Sequence, residues 1–248
     1  MGRATAVLTP WRIAAFAVLS SALAAYFALH EHLRNLSLWW DVAVIAVLIL
    51  PAVFGTVWLL LPLRTMPWRW LLALVFFGLA VGFSFLNWEG PASFAKLGAA
   101  TFFGWIFLDF FEEESWVIVV ALIIPWVDAY SVWRGPTNTI VHHHRGVFER
   151  LSFAFPVPGE NNSANLGIPD LVFFALFLGA AAQYRLRVRL TWLLMTASFG
   201  VTIVLAVWLD LGGLPALPLL SLAFLVANGD ILWRHLKQAR AGSAPQNA

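Results

Sequence analysis

The chain contains no cysteine in 248 residues. That absence excludes thiol nucleophiles, thiolate metal sites, disulfides and redox sensing. Charge is scarce as well: 15 basic and 13 acidic residues make up 11% of the sequence, where a soluble domain carries about 25%. An ordinary water-soluble globule and a solvated disordered segment are both excluded by that shortage. The formal net charge is only +2. The pI near 9.4 reflects basic residues in short connections rather than a nucleic-acid-binding face, so no nucleic-acid partner is expected. No nucleotide, flavin or haem motif is present and no cofactor is expected. Internal repeats of the kind that mark secondary transporters are missing too. What the chain has in quantity is apolar sequence. Hydrophobic residues make up 61% of it and the mean hydropathy is +0.80, in runs of about 20 residues, the length that crosses a bilayer as a helix.

These runs predict an all-α, polytopic transmembrane helix bundle of about eight spans, near 10–30, 38–62, 67–87, 95–111, 115–134, 168–184, 189–209 and 213–236. The fourth and sixth are short for a span. The first, with Arg3 and Arg12 ahead of Ala22-Leu23-Ala24, has the outline of a signal peptide. Its apolar stretch runs on to Leu29, longer than the usual 7–15-residue core, so it is read as a retained span. Tryptophan is abundant, and Trp11, Trp39, Trp40, Trp68, Trp70, Trp88, Trp116, Trp133, Trp208 and Trp233 fall at span ends. That is the distribution of an interfacial belt, not of a cofactor box. Ten Lys and Arg fall in the segments on the side of the N-terminus and five on the other side, which places both termini in the cytoplasm. The compact chain suits a prokaryotic inner membrane. The spans group into an N-terminal set (1–114) and a second set (115–240), followed by a small polar tail (241–248) expected to be disordered. One long loop, 135–166, joins the fifth and sixth spans.

Carboxylates inside spans are costly and therefore informative. Asp41, Asp109 and Asp210 lie at span ends, where water or headgroups solvate them. Asp230 has Arg234 one helical turn on and reads as half of an i,i+4 ion pair. Asp128 is different: it lies within the fifth span, three residues after Pro125, whose missing N–H opens the helix there. Asp170 opens the sixth span in Gly167-Ile168-Pro169-Asp170, and by itself it could be no more than a helix cap. Consecutive antiparallel spans joined by the long loop put both aspartates at one membrane level. Two facing carboxylates share a proton, which leaves one as general base on a water and the other as acid. His142-His143-His144 in the long loop lacks metal-ligand spacing and reads as a solvated cluster.

In these residues the chain resembles the presenilin and signal peptide peptidase type of intramembrane aspartyl protease. That family carries one aspartate within a span, a second in Gly-x-Gly-Asp at the next span, and Pro-Ala-Leu-Pro at the head of the last. Asp128 takes the first place, Gly167 to Asp170 the second, and Pro215-Ala216-Leu217-Pro218 the third, in the right order over about residues 115–236. The resemblance implies catalysis by Asp128 and Asp170. Gly167, Pro169, Pro215, Ala216, Leu217 and Pro218 would shape the site, and the substrates would be transmembrane helices or signal-peptide remnants cleaved in the lipid phase. It also implies that substrates unfold locally into a strand, for which Leu151 to Phe155 has the β-propensity to pair, although a loop packed on the bilayer surface accounts for that stretch as well. The chain departs from the family pattern at Val127, where tyrosine is usual, and at Pro169, where glycine is. Its eight spans are one fewer than the family's nine. Two other functions fit the same residues: a pseudoprotease that binds transmembrane helices without cutting them, and a transporter or channel with Asp128, Asp170 and Asp230 along an ion path.

Overall fold

The computed structural model describes residues 8–134, 152–160, 162–211 and 213–242. The histidines 142–144, Leu151 and the last six residues of the tail lie outside them. The helices are α1 (Pro10–Leu29), α2 (Leu38–Val44), α3 (Leu50–Leu60), α4 (Arg69–Phe85), α5 (Glu89–Leu108), α6 (Glu114–Arg134), α7 (Ile168–Gln183), α8 (Val188–Trp208) and α9 (Leu217–Gly242). A π-helical turn, Ile45–Ile49, joins α2 to α3. Pro51 supplies no N–H at the start of α3, and the backbone loosens there instead of breaking. The described chain is therefore a helical bundle in which six helical stretches are long and apolar enough to cross a membrane, with α4 and α7 shorter. The shortfall differs from the sequence expectation in one respect: the fourth span starts earlier, at Glu89, and the third is the short one.

The bundle packs around α7. Leu171 and every residue from Phe174 to Ala181 are buried. Neighbouring helices, not lipid, enclose these residues, so 16 residues suffice here. Phe174 packs 4.0 Å, ring to ring, from Phe54 of α3, which stacks in turn on Phe199 of α8 at 5.0 Å. Phe177 stacks on Phe224 of α9 at 4.7 Å. On its other side α7 meets α5 through glycine, because a Cβ on Gly104 would stand 2.5 Å from the Val172 carbonyl oxygen. By contrast α6, the helix of Asp128, is peripheral: among its residues only Val117 and Ala121 are buried, and it leans on α9 and α7. All ten tryptophans expected at span ends are exposed on the bundle surface.

The long loop is not irregular throughout. Ser152–Pro156 (β1) and Ser163–Gly167 (β2) form an antiparallel hairpin, Ser152 opposite Gly167 and Pro156 opposite Ser163. Phe153 and Phe155 point into the core, which is why this stretch folds back instead of lying on the bilayer. At the hairpin turn Gly159 has φ +72°, and its N–H donates to the His30 carbonyl at 2.7 Å, in a spot where a Cβ would strike the backbone of Asn35.

Long-range bonds sort the molecule into two ends. At one, Arg12 of α1 donates to the carbonyls of Trp58 and Leu59, Arg69 pairs with Asp109, Tyr184 donates to the Phe111 carbonyl, and His235 meets Glu114. At the other, Tyr26 donates to the Pro156 carbonyl and Asp128 meets Leu217. One carboxylate expected to be solvated is not. Asp109 stays exposed while it pairs with Arg69, whereas Asp41 is buried with its Oδ1 unbonded among the described residues. Helix α2 turns Asp41 inward, toward the bundle, instead of leaving it at the rim.

Candidate active site

Three segments far apart in sequence meet at the hairpin end. Pro215 and Ala216 run as irregular buried backbone into α9, which begins at Leu217. The first N–H groups of any helix lack an intrahelical acceptor. Pro218 has no N–H to offer, and the N–H of Leu217 donates to Asp128 Oδ2 at 3.0 Å. Asp128 therefore reaches from the middle of α6 to the N-terminus of another helix, where an anion is favoured. The turn of α6 that carries it follows Pro125, which takes no part in the usual bond to the carbonyl four residues earlier.

Asp170 lies in the first turn of α7, with Gly167 as N-cap and Pro169 as the second helical residue, where its missing N–H has no intrahelical acceptor to lose. The Gly167 N–H donates to Asp170 Oδ2 at 3.1 Å, and a Cβ on Gly167 would stand 3.1 Å from the same oxygen. Glycine thus lets the backbone close on the carboxylate. The helices of the two aspartates touch. The arrangement brings two partly buried carboxylates to the N-termini of two helices, each with one oxygen bonded to backbone.

The expected site residues come together: Asp128 with Leu217, in the Pro215–Pro218 segment, and Asp170 with Gly167 and Pro169. Val127, by contrast, is 53% exposed and faces away from the bundle. Asp230 does not join them. It sits about 20 Å further along α9 than Leu217, where Arg187 grips it with both guanidinium nitrogens at 2.7 Å and Arg234 adds the i,i+4 contact.

Two residues to which the sequence assigns no part in the site, Lys96 counted only as a charge on the side opposite the termini, hold the hairpin against the bundle. Lys96 Nζ donates to the Ser152 carbonyl at 2.9 Å, and Tyr26 Oη to that of Pro156 at 2.6 Å. A lysine inside an apolar run was the only available signal, and it pointed to no partner. Both bonds fall on the outer edge of β1. The stretch expected to pair with a substrate strand is therefore already engaged, by β2 on one side and by these side chains on the other. The free edge belongs to β2. Val157 N–H bonds the Asn162 carbonyl, so by the alternation of an antiparallel ladder Ser163 and Asn165 turn their backbone groups outward. The sheet has two strands, and that edge has no strand neighbour among the described residues. β2 then passes into α7 with no intervening residue.

No group of three or more potential metal-ligating side chains occurs among the described residues. No protein-family model matches the chain, and no curated protein and no solved structure matches it either.

Proposed function

We propose that the chain is an intramembrane aspartyl endopeptidase that cleaves transmembrane helices or signal-peptide remnants with the pair Asp128 and Asp170. The observation that carries this reading is the 3.0 Å bond from the Leu217 N–H to Asp128. It closes the third motif segment onto the first, beside the helix of the second. The ionised carboxylate takes a proton from water as the water oxygen attacks the amide carbon. The protonated partner gives its proton to the carbonyl oxygen, so that a neutral gem-diol forms and the two carboxyls exchange protonation states. Collapse of the gem-diol breaks the C–N bond as a proton passes to the leaving nitrogen. The substrate, unwound locally, would add to the open edge of β2 by backbone bonds, next to Asp170. Proline at 169 and valine at 127 are compatible with this chemistry: one starts a helix and the other faces outward. The arginine-rich end, with both termini, would face the cytoplasm.

The test is cleavage of a quenched fluorescent transmembrane peptide by the lipid-reconstituted chain. Asp128→Asn and Asp170→Asn should each abolish product. Asparagine keeps an oxygen that can still accept the Leu217 or Gly167 N–H, so the caps and the fold should survive. Turnover by either variant would end the paired-carboxylate mechanism. Peptide binding without product in wild type would point to a pseudoprotease. An ion path through the three aspartates has little support, since Asp230 is engaged by two arginines at the other end.

A further inference from the structure

At the end of the bundle away from the aspartates, a cavity of about 290 Å³ opens between the end of α3, the start of α4 and the ends of α5 and α7, lined by Arg64, Thr65, Arg69, Trp105, Asp109 and Gln183. It is much larger than the ~30 Å³ share of one water. Its polar groups are unequally satisfied. Arg69 is occupied, donating to the carbonyls of Arg64 and Met66 and pairing with Asp109. Arg64 Nε and Trp105 Nε1 have no hydrogen-bond acceptor among the described residues, although both atoms are buried. Trp105 as a whole is 1% exposed, so bulk solvent does not satisfy its N–H. Buried donors are ordinarily paired. Two guanidinium groups against one carboxylate leave a formal excess of one positive charge in the cavity.

From this we infer that the cavity binds a phosphate group, presented by the headgroup of an anionic phospholipid or taken from solution. An oxyanion seated there would accept from Arg64 Nε and Trp105 Nε1 and neutralise the unpaired cation. The Gln183 amide, also in the lining, carries further N–H donors. The depth suits a headgroup: Trp68 and Trp70, the chain neighbours of the lining residue Arg69, are both exposed and mark the interface. Basic pockets between transmembrane helices are built for such ligands. This inference stands independently of the proteolytic reading.

The full chain in detergent can be titrated with phosphatidylglycerol and read by native mass spectrometry, with inorganic phosphate titrated separately against thermal unfolding. The expected result is one retained lipid, bound about tenfold more weakly by Arg64→Gln and by Trp105→Phe. Arg234→Gln, an exposed arginine at the same end, should bind as wild type does. Trp105→Phe keeps an aromatic ring and removes the N–H together with part of the indole; provided its unfolding midpoint shows a folded protein, it decides the matter if Arg64→Gln fails to fold. A phosphate-induced rise in melting temperature that both cavity variants lose, with no lipid retained, would assign the site to free phosphate. Retention of neither ligand, or equal retention by wild type and both cavity variants, would overturn the inference.

Discussion

Gly167 grips Asp170 through its own backbone, and the missing Cβ is part of that grip. Alanine there would force the carboxylate away by a few tenths of an ångström, since the added carbon would stand 3.1 Å from Oδ2. Catalysis is far more sensitive to such a shift than folding is. A displacement of about 1 Å costs about 100-fold. Gly167→Ala should therefore reduce peptide cleavage by about tenfold while its circular dichroism and elution profile match wild type. Val127→Tyr, which restores the residue usual in the resembled family, should change the rate by no more than about twofold, because position 127 faces outward. A large gain in activity would show that this side chain reaches the reacting groups after all. At this scale the aspartates, the glycine and the Pro-Ala-Leu-Pro segment were readable, because each is a local pattern with its own chemistry. Lys96 and Tyr26 were not. Their partners are backbone carbonyls 56 and 130 residues away, and carbonyls carry no sequence signature.

Among the elements, α5 and α7 pack through glycine. Gly104 faces the Val172 carbonyl, a backbone group that cannot rotate aside, and Gly179 faces Trp105. Gly104→Ala should destabilise the bundle by about 1–3 kcal/mol, measured as a lower midpoint in a denaturant titration in detergent. An unchanged midpoint would mean that the two helices part without cost. Hydropathy located the helices because burial in lipid and burial in protein call for the same residues. For the same reason it could not tell the enclosed α7 from a lipid-facing span, nor see that α6 is peripheral. The hairpin escaped a reading based on runs of 20, since five-residue strands leave too short a trace, although the β-propensity of Phe153 to Phe155 was visible.

On the scale of the whole molecule, the two ends differ in chemistry: arginine pairs at one, and the hairpin with both aspartates at the other. The charge count from which cytoplasmic termini are expected rests on the same arginines, several of which have named partners. Because the chain lacks cysteine, single introduced cysteines report orientation without background. In intact cells a membrane-impermeant maleimide should label Ser163→Cys, whereas Lys237→Cys should react only after permeabilisation. The reverse pattern would invert the proposed topology. The join between β2 and α7 has a further consequence. A guest chain held along that edge would be gripped by its amides, which every residue possesses, and the rigid junction would set how far from the grip the cut falls. Selection would then pass from side-chain identity to the ease with which a helix lets go of its own hydrogen bonds. Peptides of unrelated sequence but similar helical weakness would compete as equals, and a single stabilising substitution in the guest helix would protect it.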